Sequence, residues 1–222
     1  SMIVPARLLH RLPEWLDDHA ASLMEPLACC CNSLSDPAVI DTGDRVLVLG
    51  AGPIGILAAQ VARAAGAHVT LGGTTADEER LGVARSLGLE TLVVDAPEGA
   101  QTLEAWGAAR SVDVVVECAG VGAAVSTALR VVRPGGTHIQ VGLLSGDVSI
   151  PFGLVVTKEI RVRAGFGQSP ASWARAVRLV EARAVDLAPL VSIVLPLRDW
   201  QVAFDRMATR TGLKSVLDPR VA

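Results

Sequence analysis

Tyrosine is absent from this chain, which excludes any site built on a Tyr general acid, including a Tyr-x-x-x-Lys pair. Cysteine is scarce: Cys29, Cys30 and Cys31 are adjacent, and Cys118 stands alone. Adjacent cysteines project in different directions and lack the C-x-x-C spacing of a zinc loop. Neither a disulfide framework nor a structural metal site is therefore legible, and the four read as small buried thiols. The histidines His10, His19, His68 and His138 offer no pair at metal-ligand spacing. No basic block is present and the net charge is −3, so nucleic acid finds no electrostatic footprint. Apolar runs are broken by charge, Pro or Gly before they reach the length of a membrane span, and no signal-peptide pattern is visible. The expected setting is the cytoplasm, with neither a nucleic acid nor a membrane as partner.

What is present is apolar. Half of the 222 residues are hydrophobic and 19% are charged, enough for a substantial core and contrary to global disorder. That length holds one large α/β domain, or one and part of another. The most informative run is Arg45-Val-Leu-Val-Leu-Gly-Ala-Gly-Pro-Ile-Gly55, where an apolar strand turns directly into a helix. Ile54, Leu57, Ala58, Val61, Ala62 and Ala65 recur at helical spacing, and Gly66 closes the helix. In such a turn Gly50 permits the tight reversal and Gly52 lets backbone approach a pyrophosphate. Gly55 brings the helix close to the sheet, and Pro53 and Ile54 open the helix whose N–H groups receive the phosphates. With strand before and helix after, the pattern is a dinucleotide-binding fingerprint.

Beyond a possible tag remnant at Ser1-Met2, residues 3–39 read as a lead-in with an acidic start at Asp17-Asp18 and an apolar helix from Ala20 through Ser33. Residues 40–184 alternate regularly. Strands are predicted near 45–50, 68–72, 91–94, 113–117, 137–142 and 160–164, and helices near 53–66, 76–87, 100–108, 122–132 and 170–183. This pattern predicts an α/β fold with a doubly wound six-stranded parallel sheet, order 3-2-1-4-5-6, and ligand at the carboxyl ends of strands 1 and 4. Arg133-Pro-Gly-Gly136 reads as a turn between helix and strand. Residues 185–222 follow as strand, helix and strand, a remnant of a second domain that needs a surface to lie against.

The ribose of a dinucleotide is read at the end of the second strand, where an acid about 20 residues after the first glycine binds the 2′-OH in NAD enzymes. Here that edge is Leu71-Gly-Gly-Thr-Thr75, and Asp77, Glu78 and Glu79 read as the first turn of the next helix. With no acid at the strand end, Gly73, Thr74, Thr75 and Arg80 can offer donors to a 2′-phosphate, which favours NADP(H) over NAD.

Several runs together resemble the medium-chain dehydrogenase/reductase superfamily, in its zinc-dependent alcohol and polyol branch that includes sorbitol and threonine dehydrogenases. They are Glu25-Pro-Leu-Ala28, Gly43-Asp44, the Gly50–Gly55 turn, Glu117-Cys-Ala-Gly120, Arg133-Pro-Gly-Gly136, Val141-Gly-Leu143 and Gly212-Leu-Lys214, in the family's order from about residue 12 to 217. The resemblance implies hydride transfer between NAD(P) and an alcohol or carbonyl substrate. It places the nicotinamide against Ala119, Gly120, Val141, Gly142, Leu143 and Phe166, and Glu25 beside the catalytic zinc. An Arg beside the adenine is shared by NAD-using members, so Arg80 alone does not discriminate. Gly167 departs from an Arg that contacts substrate in sorbitol dehydrogenases, which leaves the polyol open. Glu117 reads as structural, and Lys158 and Lys214 as surface charges.

No segment matches the GroES-like domain that supplies most zinc ligands in that branch, so the chain looks like such a dehydrogenase with its N-terminal half removed. On this reading zinc is absent here and the chain alone is inactive. Two further readings stay open: a non-catalytic NADP(H)-binding module or sensor, and a zinc-free quinone or enoyl reductase. The resemblance also implies a homodimer or tetramer formed edge to edge through the strand near 160–164.

Overall fold

The computed structural model describes residues 3–35 and 38–221, so the Ser1-Met2 reading lies outside the described residues. In chain order the elements are helix α1 (Asp18–Ala21), α2 (Met24–Ser35), strand β1 (Arg45–Leu49), α3 (Pro53–Ala64), β2 (His68–Gly73), α4 (Glu78–Ser86), β3 (Glu90–Val93) and α5 (Pro97–Ala109). They continue with β4 (Val112–Glu117), α6 (Gly122–Val131), β5 (Val132–Gln140), α7 (Gly153–Thr157), β6 (Arg161–Ala164) and α8 (Pro170–Glu181). A tail of β7 (Val191–Pro196), α9 (Trp200–Ala208) and β8 (Lys214–Asp218) completes the chain. Six strands form one parallel sheet in the order β3-β2-β1-β4-β5-β6, as the sequence predicts.

Alternation along β1 divides the core into two layers, because successive side chains point to opposite faces of a strand. Val46 and Val48 join Leu27 of α2, Leu57 of α3, Leu81 of α4 and Val180 of α8. Leu47 and Leu49 join Leu103 of α5 with Val125 and Leu129 of α6 on the other face. Fully burying a Leu contributes roughly 1.5–3 kcal/mol, and Leu23, Leu27 and Leu34 are all fully buried. The sheet's own core therefore holds α2 in place.

Two local expectations are corrected. The helix predicted from Ala20 through Ser33 is split into α1 and α2 at Ser22-Leu23. Pro26 has no N–H to bond the Ser22 carbonyl one turn back, so a continuous helix loses that bond and meets the pyrrolidine ring. Arg133-Pro-Gly-Gly136 is a wide bulge inside β5 rather than a turn before it. The register jumps from Val112↔Val132 to Val114↔Thr137, so Asp113 stands opposite the whole run. Its carboxylate accepts from Arg133 Nε at 2.7 Å and from the Arg45 N–H at 2.9 Å, which fixes the bulge to the neighbouring strands.

The tail forms its own two-stranded parallel sheet, β7-β8. It is tied to α1 through polar side chains: His19 Nε2 lies 2.8 Å from Asp218 Oδ2, and Arg220 donates to both Asp218 and Asp18. Hydrogen bonds from Arg220, and then from His19, hold the Asp218 carboxyl well below the usual carboxylate range. Among the described residues no helix is long and apolar enough to cross a membrane.

Candidate dinucleotide-binding site

A cleft of about 450 Å³ opens at the carboxyl ends of β1, β2 and β4, where the winding of the sheet reverses. Leu49, Gly50, Ala51 and Gly52 line its floor, Gly72, Gly73 and Thr74 one wall, and Cys118, Ala119 and Val121 the other. The three fingerprint glycines differ in what requires them. Gly50 has φ +110°, and a Cβ there would sit 2.7 Å from the Ala119 backbone nitrogen. At Gly55 a Cβ would overlap the Gly50 carbonyl oxygen. Gly52 is the opposite case: its backbone is ordinary extended chain, φ −76° and ψ 177°, and a Cβ would meet no atom within 4 Å. The protein itself makes no demand for glycine at that position. The open space beside it serves whatever enters the cleft.

Gly52 is also the N-cap of α3, and no side chain bonds the free N–H groups of that helix end. The first turn therefore offers unpaired donors and the positive end of the helix dipole to the cleft, a combination suited to an anion such as a pyrophosphate. The dinucleotide fits this cleft on the donor chemistry and the open face at Gly52.

The ribose edge differs from the sequence reading, which finds it free of acid. Thr74 and Asp77 form a reciprocal cap, with Thr74 Oγ1 donating to Asp77 Oδ2 at 2.8 Å. Asp95, just beyond β3, accepts from the Thr75 N–H at 2.7 Å and from Thr75 Oγ1 at 3.0 Å. Asp77 and Asp95 both line the cleft. Asp95 is remote in sequence and arrives through β3 pairing with β2, so no local motif announces it. Arg80 also lines the cleft, yet Nε donates to the Gly212 carbonyl at 2.9 Å and an Nη to the Arg210 carbonyl at 2.8 Å. Those bonds bring Arg210, which no motif signals, to the mouth of the same cleft.

The remaining candidates are more dispersed. Pro53 and Ile54 line a neighbouring groove with Pro26, Phe204, Met207 and Lys214. Thr75, Gly55, Gly120, Val141, Gly142, Leu143 and Phe166 do not line the cleft; Gly55 is buried behind it, and Leu143 and Phe166 are exposed on loops beyond β5 and β6. Glu117, read from sequence as structural, is wholly buried at the end of β4. Burial raises its carboxyl above the usual range, against donors from Gln140, Gly120 and Ala119 that lower it.

Glu25 lies exposed in the first turn of α2, and Cys29 Sγ donates to its Oε1 at 3.3 Å. Burial, then Glu25, pushes the Cys29 thiol up to about 11. Among the described residues, no three His, Cys, Asp or Glu side chains converge as a metal-holding set. The donors present in these residues therefore do not fit zinc.

A zinc-binding dehydrogenase family model matches residues 53–182, more than half of the chain. The chain belongs to that family. Among its relatives, sorbitol dehydrogenase from Halalkalibacterium halodurans is 35% identical over 95% of this chain and 62% of its own length. D-arabitol-phosphate dehydrogenase from Enterococcus avium is 30% identical over 95% and 60%. A protein from Sinorhizobium meliloti assigned as a zinc-binding dehydrogenase, solved bound to NADP, has a TM-score of 0.80 at 32% identity, covering 94% of this chain and 61% of that one. Galactitol-1-phosphate dehydrogenase from Escherichia coli has a TM-score of 0.81 at 25% identity, covering 97% and 65%. The chain thus spans about three fifths of the length of the curated relatives it matches.

Proposed function

We propose that this chain is the dinucleotide-binding part of a zinc-type alcohol or polyol dehydrogenase, holding NAD(P) for hydride exchange with an alcohol or carbonyl substrate. The observation that carries the reading is Gly52, a glycine that its own fold does not need, beside the uncapped N-terminus of α3. In this proposal residues 40–184 bind and orient the cofactor, residues 3–39 form a lead-in helix and linker, and residues 185–222 pack against a second domain. Glu25 would approach zinc only beside ligands from that domain. Without them the chain binds cofactor and does not turn over alcohol. A purely binding or sensing role is favoured by the lack of a converging metal-donor set among the described residues. Alcohol-dependent NADPH formation by this chain alone would refute it and also our expectation of inactivity.

The cofactor proposed is NADP(H). Arg210 and Arg80 bring two guanidinium groups to the adenosine end of the cleft, and the Sinorhizobium relative was solved with NADP. Asp77 and Asp95 favour the competing choice, NAD, because a carboxylate accepts a 2′-OH and repels a 2′-phosphate. Fluorescence titration separates the two, with NADPH expected to bind about tenfold or more tighter than NADH. Replacing Arg210 by Met, which removes one of these guanidinium groups from the cleft, should lower that preference, and an unchanged ratio would count against the assignment.

Four thiols, all free, suit a reducing compartment, and we place the chain in the cytoplasm. A homodimer, or a tetramer built from such pairs, is proposed through β6, the exposed sheet edge where Arg161 and Val162 face solvent. Light scattering should then return at least twice the 23.1 kDa chain mass; a monomer would contradict the pairing.

A further inference from the structure

The buried end of β4 carries a hydrogen-bond network behind the cleft wall. Glu117 Oε1 accepts from the N–H groups of Ala119 and Gly120, each at 2.8 Å. Oε2 accepts from Gln140 Nε2 at 2.5 Å, and that same nitrogen donates to the Gly142 carbonyl at 2.7 Å. The Glu117 backbone carbonyl accepts in addition from the N–H groups of Val141 at 2.9 Å and Gly142 at 2.8 Å. One residue therefore holds both the loop leaving β4 and the loop leaving β5.

The fit between those loops leaves no slack. A Cβ at Gly142 would lie 2.6 Å from Glu117 Oε2 and 2.8 Å from the Gly120 Cα. An ionised carboxylate is costly to bury, and an apolar side chain would fill a strand end at less expense. Here its oxygens meet three N–H donors, two from the loop leaving β4 and one from Gln140 at the end of β5, which is what a carboxylate alone among side chains of this size can accept. Ala119 lines the cleft, so the loop that Glu117 grips forms part of its wall.

We infer that Glu117 is a positioning residue for the nicotinamide half of a bound dinucleotide: through Ala119-Gly120 at the cleft wall and Gln140-Gly142 just beyond it, it sets the loops against which the ring would lie. The adenosine end is built on β2, β3 and the Arg210 loop and does not touch this network. This inference rests on the dinucleotide reading above.

Glu117→Gln keeps the shape and places an amide N–H against donors. Turning Gln140 over does not relieve the conflict, since its oxygen would then face the Gly142 carbonyl. Two ligand pairs isolate the ring: NADPH against 2′-phospho-ADP-ribose, and NADH against ADP-ribose. Calorimetric titration of Glu117→Gln should show affinity for the dinucleotides lowered about ten- to hundredfold, with the fragments lacking nicotinamide held within about twofold. Gln140→Met should give the same split without altering the carboxylate. A general structural defect would move both members of each pair together. Equal losses for ring-bearing and ring-free ligands, or undiminished dinucleotide binding in both variants, would overturn the inference alone. Failure of the wild-type chain to bind any of the four ligands would overturn the dinucleotide reading along with it.

Discussion

A Gly52→Val variant is expected to fold as the wild type does and to lose dinucleotide binding by about a hundredfold or more, equivalent to roughly 2.7 kcal/mol. The backbone at Gly52 lies in the extended region that a β-branched residue adopts readily, and no protein atom stands within 4 Å of the added Cβ. The stability cost is that of replacing a glycine N-cap with a poor one, at most about 1 kcal/mol, or a few degrees in melting temperature for a chain of this size. Affinity falls because the new methyls occupy the space from which a pyrophosphate would reach the free N–H groups of α3. Several hydrogen bonds to charged groups, each worth about 1.5–3 kcal/mol, are lost together. Thermal melts and NADPH titration on the same preparation check both halves. A destabilised variant, or one that still binds NADPH as wild type, would remove the main support for a ligand at this turn.

Gly55→Ala is expected to fail in the opposite way. Its Cβ would overlap the Gly50 carbonyl oxygen, which is backbone and cannot swing aside. Either α3 tilts away from the sheet or the β1 turn opens, and overpacking of this kind costs about 3 kcal/mol. At 2–4 °C per kcal/mol, the melting temperature should fall by about 6–12 °C. Binding should weaken as a consequence of the displaced helix end. Urea denaturation measures the first effect directly, and a melting temperature within 2 °C of wild type would show that the turn is looser than these contacts imply. Two glycines three residues apart in one motif thus give opposite outcomes, one in affinity and one in stability.

Much of this was legible before the structure, for physical reasons that hold residue by residue. The β1–α3 turn is local: strand, glycines and helix follow one another within twenty residues, and periodicity marks each. Strand order follows from right-handed crossovers acting on six regular units. What escaped the sequence was brought in from a distance. Asp95 reaches the ribose edge because β3 lies beside β2, and Arg210 because Arg80 holds the carbonyls of residues 210 and 212. The split of the lead-in helix at Ser22-Leu23 is local, because Pro26 one turn later forbids a continuous helix. The bulge at 133–136 is not, since it depends on Asp113 from the adjacent strand. Glu117 is a similar case: its neighbours in sequence reveal nothing of Gln140, which arrives 23 residues later on β5.

The most direct test of the central claim is calorimetric titration of the wild-type chain with NADPH and NADH. Saturable binding of one dinucleotide per chain, with Kd below about 100 μM for the preferred cofactor and abolished by Gly52→Val, is the expected result. Absence of saturable binding by either dinucleotide at millimolar concentration, in a chain that melts cooperatively, would contradict it.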